Sequence, residues 1–205
     1  VNTIERETVK ESANAVNYVE SEGESLLTLL EGVSTHASKD KSLPTLNAVQ
    51  LESEGGALTA RATDRYRLIE GTLHALDGRL DVSLISLDDI KRIITLCKAH
   101  KANRVQLSRI GDTLTASSLG DSLTVTLLGG NYPPVEQLLS DSEKEPVAVD
   151  GMAFNPAFMA DYGKIAGKGA GIKVYFHGEI KPMRVRITGH KVTWRALLMP
   201  MKFRD

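Results

Sequence analysis

The chain has 205 residues with ordinary apolar and charged fractions, enough for one or two domains around a buried core. Its net charge of −1 excludes a global attraction to nucleic acid or to an acidic membrane, so a nucleic-acid partner requires charge segregated onto one surface. The single cysteine, Cys97, excludes an internal disulfide and a cysteine-rich metal site; with no apolar run near the ~20 residues of a membrane helix and no leader signal, the expected location is the cytoplasm.

Residues 1–17 are acidic and thin in apolar groups, and are expected to form a tail or an accessory helix. Tyr18 and Val19 begin a strand. From Ser25 to about Ser38, Leu26, Leu29, Leu30 and Val33 recur at i, i+3, i+4 and i+7, which predicts a helix with one apolar face. Ser38 to Ser42 is a polar loop. Leu46 to Leu51 reads as a strand, and Glu54-Gly55-Gly56 as a tight turn, because adjacent glycines accept positive φ. In the strand that follows, Leu58, Ala60 and Ala62 share one face. Leu68 to Leu76 is the next strand.

The pattern then restarts. Val82 to Ile85 is a short strand. Ser86 caps a helix running to about His100, with Asp88 and Asp89 favourable in its first turn. Leu87, Ile90, Ile93, Ile94 and Cys97 make its apolar face, so Cys97 reads as a core thiol. Strands follow at Val105–Ile110, Thr113–Ser118 and Leu123–Leu128. A third round has a strand at Val147–Val149 and a helix opened by Asn155-Pro156, where proline's missing N–H costs nothing. Phe158, Met159, Tyr162 and Ile165 supply that helix's apolar positions, and Gly167 to Gly171 end it. Strands at Ile172–Phe176, Met183–Thr188 and Val192–Leu198 complete the round, the last two joined by a turn at Gly189-His190. The chain therefore reads as three strand–helix–three-strand units over about 18–77, 80–140 and 146–203, alike in element order and not in letters.

Four motifs stand on this frame. The stretch Ala62-Thr63-Asp64-Arg65-Tyr66-Arg67-Leu68 resembles the Ala-Thr-Asp-x-x-Arg-Leu signature of the bacterial DNA polymerase III beta subunit, the DNA sliding clamp. Gly130-Asn131-Tyr132-Pro133-Pro134, Phe154-Asn155-Pro156 and the C-terminal Leu197-Leu198-Met199-Pro200-Met201 resemble three further segments of that family, in the same order. The likeness covers roughly residues 16–205. It implies an α+β DNA clamp fold: repeated strand–helix–three-strand units with helices on one face and antiparallel sheets on the other. Residues 18–140 resemble the family's middle domain, and 146–205 the second half of its last domain. The first domain, and the first half of the last, have no counterpart. A family ring holds about twelve such units, so four copies of this chain would close one, or three if the N-terminal segment stands in for a further unit. The short length suits a compact replicon such as a phage or prophage, placing the protein in the cytoplasm of a bacterial or phage-infected cell.

The resemblance implies two surfaces. One faces double-stranded DNA and holds phosphates without reading bases. Lys91, Arg92, Lys98, His100 and Lys101 occupy polar positions on or just beyond the second helix, followed by Arg104, with Lys164 and Lys168 on the third helix and at its end. The first helix fits less well, since Glu24 and Glu31 lie on it. The other surface is an apolar pocket for short peptides of DNA polymerase and clamp loader. Carried over position by position, it comprises Leu46, Thr63, Arg65, Tyr66, Arg67 and Leu68, then Pro133, Gln137 and Leu138, then Leu197, Met199, Pro200 and Met201. Methionines suit a pocket that adapts to several peptides.

No catalytic function and no cofactor are expected. The histidines His36, His74, His100, His177 and His190 show no metal-ligand spacing, and neither a nucleophile elbow nor a phosphate loop is present. The contrasting expectation is a truncated clamp-like binding module, which occupies clamp-docking peptides without encircling DNA.

Overall fold

The computed structural model describes residues 17–167, 170–188 and 191–202. The acidic segment, apart from Asn17, the Gly189-His190 turn and Lys168 lie outside the described residues. The first unit comprises β1 (Tyr18–Glu22), α1 (Gly23–Ser34), β2 (Ala48–Glu54), β3 (Ala57–Thr63) and β4 (Arg67–His74). The second comprises β5 (Asp77–Ser86), α2 (Leu87–Ala99), β6 (Arg104–Ile110), β7 (Thr113–Ser118) and β8 (Asp121–Thr126). A short helix, α3 (Val135–Asp141), follows. The third unit holds α4 (Pro156–Ala166), β9 (Ile172–Tyr175), β10 (Met183–Thr188) and β11 (Thr193–Leu198).

All the strands join one antiparallel sheet in the order β8-β7-β6-β1-β5-β2-β3-β4-β11-β10-β9. Two joints in this order matter. The first two units interlock through their opening strands: β1 pairs with β6, β5 pairs with β2, and β1 and β5 pair with each other. The helices α1 and α2 pack side by side over that joint. The third unit is attached differently, by its closing strand β11 along the closing strand β4 of the first.

Sequence accounts for the helices. Ser86 Oγ accepts the Asp89 N–H at 3.1 Å, and Asn155 Oδ1 accepts the Ala157 N–H at 2.9 Å, so α2 and α4 start at capped ends. α1 is buried on nearly every side and exposes only Glu24, Thr28 and Glu31. Gly32 on α1 and Gly71 on β4 make room for Trp194 of β11. A Cβ at either would come within 2.3 or 2.4 Å of the indole, so these glycines let the third unit's largest side chain enter the first unit's core.

Three expectations need correction. The strand expected at Val147–Val149 does not form; those residues run alongside the sheet with only the Val147 N–H bonded to the Phe176 carbonyl, at 2.8 Å. A strand requires a neighbour along its length, and among the described residues the third unit has no second unit to interlock with. α3 was not foreseen. Its Val135 and Leu139 bury against Leu68 and Leu197, on the sheet face opposite the helix-covered core. The first helix ends at Ser34 instead of near Ser38, because the chain turns inward at His36 and the Ser38 N–H bonds back to the Leu46 carbonyl.

Candidate functional site

The β3–β4 turn is built by its own side chains. Asp64 Oδ1 accepts the N–H groups of Tyr66 and Arg67, both at 3.0 Å, and Thr63 Oγ1 donates to the Arg67 carbonyl at 2.8 Å. Arg65 is thereby held at φ 79°, a left-handed conformation that costs a non-glycine residue about 1–2 kcal/mol. The turn displays Tyr66, 63% exposed, while the backbone carbonyl of Tyr66 accepts the Met199 N–H at 2.8 Å. Two distant stretches of chain thus meet at one end of the β4–β11 joint.

An apolar-lined cavity of about 270 Å³ lies there. Thr63, Arg65, Tyr66, Arg67 and Leu68 form one wall, Pro133 and Leu138 a second, and Leu197 and Met199 a third. Pro182 also lines it. Sequence reasoning missed Pro182, although the hairpin register that pairs Met183 with Leu198 sets Pro182 opposite Met199. Four expected residues are not in the wall. Leu46 is buried in the loop ahead of β2, and Gln137 sits on the solvent side of α3. Pro200 and Met201 lie past Met199, where the Met201 N–H turns away to bond the Ala153 carbonyl at 2.9 Å.

Behind the cavity, Arg67 is 7% exposed and held by several partners. It reaches Asp64 at 3.0 Å, Asp161 on α4 at 2.7 Å and the Thr35 carbonyl at 2.6 Å, and its guanidinium lies 4.1 Å from the centre of the Phe158 ring. One side chain thus ties the turn, the end of α1 and α4 together. Burial raises the Asp161 pKa, but the hydrogen bonds from Lys164 and Arg67 outweigh it and hold the carboxyl below its usual value. His36 lies buried beside Tyr162, ring centres 5.4 Å apart. Burial, reinforced by Arg67, pushes its pKa down to about 3.

On the outer face, a charge ladder crosses the same joint. Arg61 (6% exposed) pairs with Glu70 at 2.8 Å, with Glu52, and with Glu136 of α3; Glu70 pairs with Arg195 at 2.6 Å. Arg186 and Arg195 both reach Glu143. α3 is therefore pinned by Glu136, with Glu143 just beyond its end, while its apolar side presses on Leu68 and Leu197. A larger cavity of about 450 Å³ is lined by the paired charges Glu70, Glu143, Arg186 and Arg195 together with threonines, Ile187 and Trp194.

The basic positions are mostly neutralised. Lys91 pairs with Asp88 at 2.9 Å, Arg92 with Asp89 at 2.8 Å, and Lys98 with Glu31 at 2.8 Å. His100 meets Asp121 at 2.8 Å, Arg104 meets Glu20 at 3.0 Å, and Lys164 meets Asp161 at 2.7 Å. Of the expected cations, Lys101 has no ion pair among the described residues. Arg104 lies just beyond α2, as the first residue of β6, and Lys168 lies outside the described residues. Cys97 is buried on α2, where burial pushes its thiol up to about 12 and leaves it unreactive. Among the described residues no group of three or more His, Cys, Asp or Glu is placed to hold a metal ion, and no helix is long and apolar enough to cross a membrane.

Interlocked strand–helix–three-strand units with helices over one continuous antiparallel sheet define the DNA sliding clamp fold, and solved structures agree. The DNA polymerase III beta subunit of Thermotoga maritima superposes with a TM-score of 0.78 over 94% of this chain and 67% of that one, at 16% identity. A Pseudomonas aeruginosa DnaN sliding clamp, solved bound to griselimycin, gives 0.76 over 99% of this chain and 68% of that one, also at 16% identity. In sequence, the chain resembles the bacterial DNA polymerase III beta subunit: it is 29% identical over 121 residues to the beta sliding clamp of Micrococcus luteus. That match takes in 58% of this chain and 39% of the Micrococcus luteus protein, so the chain spans well under half of that relative's length. No family model matches the chain.

Proposed function

We propose that this chain is a non-catalytic processivity factor, a short sliding clamp that docks peptide segments of a DNA polymerase and its clamp loader. The observation that supports this best is the apolar cavity at the β4–β11 joint. Its walls come from three separate stretches, and its back is held rigid by Arg67 and the pinned α3. Leu68, Leu138, Leu197 and Met199 offer apolar burial to a peptide, and the exposed Tyr66 offers an aromatic anchor at the rim. In the full reading several copies close a ring whose helix-covered face surrounds duplex DNA, four chains supplying about twelve units.

A second reading has its own support. The paired cations on and around α2 leave the helix-covered face with little bare positive charge, which favours a clamp-like module that binds docking peptides without encircling DNA. Fluorescence anisotropy with a labelled clamp-docking peptide from a bacterial polymerase tests the common part. Binding is expected, and Met199→Asp or Leu138→Asp is expected to weaken it by about tenfold or more, as for loss of a central anchor. Unchanged affinity in both variants sinks the pocket assignment. Retention on nicked circular DNA, with release on linearisation, separates the ring from the module.

A further inference from the structure

The second and third units have the same order of helix and strands, but only one of them is covered. In the second unit, the first strand after the helix, β6, lies against β1, and its Val105 and Leu107 are fully buried. The corresponding strand of the third unit, β9, is an edge of the sheet, with Ile172 39% and Val174 41% exposed. Both side chains lie on the helix-covered face, since their cross-strand partners Ile187 and Val185 belong to the core. The helices differ in the same way. α2 presents Asp88, Lys91, Arg92, Thr95 and Lys98 to solvent, whereas α4 presents Pro156, Ala157, Met159, Ala160 and Gly163, with Lys164 the one charge among its exposed residues. Next to this bare face runs Val147–Val149, a β-prone segment paired with no strand, 50% exposed at Val147 and tied only by the Val147 N–H to the Phe176 carbonyl just past β9.

We propose that the third unit is completed by the third unit of a second copy of this chain, across a two-fold axis. The joint between the first two units shows the required arrangement. There the order is β6-β1-β5-β2, with two opening strands between two post-helix strands and the two helices packed above. The corresponding joint between copies places the Val147–Val149 segments of both chains between the two β9 strands, with α4 against α4.

Charge fits this pairing. Glu145 and Asp150 flank Val147–Val149, Lys173 sits between Ile172 and Val174, and none of the three has an ion pair among the described residues. An antiparallel seam between copies sets Asp150 on the same face as that lysine. The small residues on α4 allow a close helix approach. Among the described residues no mate is available, because α3 ends at Asp141 and α4 starts at Pro156. Two-fold pairing is self-complementary, so each copy covers what the other leaves bare. The inference rests on the fold and stands whether or not the assembly encircles DNA.

Light scattering after size exclusion, on the full chain at micromolar concentration, tests it. An even-numbered assembly is expected. The double variant Ile172→Asp with Val174→Asp is expected to halve that mass and leave the circular dichroism spectrum unchanged. A monomeric wild type, an odd-numbered assembly, or a mass unaffected by the double variant overturns the proposal. If the variant fails to fold, the wild-type chain still decides by hydrogen exchange. Dilution below the association range is expected to deprotect the amides of Val147–Val149 and Ile172–Tyr175; rates that do not change with dilution overturn it.

Discussion

α2 and α4 open corresponding units of one chain, each from a capped end, yet α2 buries a full apolar face and α4 fully buries only Tyr162. The strands behave likewise: β1 and β5 form because each has the other unit's strands beside it, while the β-prone Val147–Val149 stays unpaired. The difference lies in neighbours and not in composition. A unit of this kind is half of a packing problem, and its elements regularise only when the other half arrives. The first two units solve the problem internally. The third borrows what it can from the first, through β11, Trp194 and Arg67.

That contrast can be broken most forcefully at Arg67. Arg67→Ala leaves Asp64 and Asp161 facing a buried gap, and about 3–5 kcal/mol of stability is expected to be lost in urea unfolding. Hydrogen exchange should quicken in α4 well before α2; equal loosening of both helices would show that Arg67 does not single out the third unit. A core pair sharpens the comparison directly. Ile93→Ala, in a fully buried position of α2, is expected to cost about 2–5 kcal/mol, whereas Met159→Ala on the open face of α4 is expected to cost less than about 0.5 kcal/mol in the dissociated chain.

Acid provides the gentlest probe. His36 is neutral in its buried site, with a folded pKa of about 3, while the unfolded chain takes up a proton near the ordinary value of about 6.5. Stability from this group is complete above about pH 6.5 and is lost as pH falls toward about 3, at up to about 1.4 kcal/mol per pH unit. Denaturation across a pH series should show that slope in the wild type. Between about pH 6.5 and about pH 5, above the carboxylate range, that slope should largely vanish in His36→Leu even if the variant's absolute stability differs.

Much of this architecture is legible in local pattern. The i, i+3, i+4 leucines of α1, the Ser86 cap, Asn155-Pro156 and the paired glycines at Gly55-Gly56 carry their structural meaning within a few residues. The pocket was legible for a different reason: its three stretches carry motif letters, and most of them do line the cavity. What the letters hide depends on distant partners. α3 follows two prolines and is only seven residues long, so its helix rests on Leu68 and Leu197, far away in the chain. Arg61 alternates with alanines like any half-exposed strand residue, and only the register across β2, β3, β4 and β11 reveals it at the centre of a buried charge ladder. The i, i+3 pairs Asp88–Lys91 and Asp89–Arg92, by contrast, were readable from spacing, and they argue against counting helix lysines as free phosphate contacts.

The joint of β4 with β11 carries a mechanical consequence. Six residue pairs stitch it, Trp194 is driven through it, Arg67 rivets one face and the Arg61–Glu70–Arg195 ladder the other. A joint of that kind does not swing. Any assembly of these chains that must gape to admit a long polymer would therefore strain at the contacts between copies and keep each copy stiff, so the strength of those contacts, not flexibility within the chain, would govern how readily it opens.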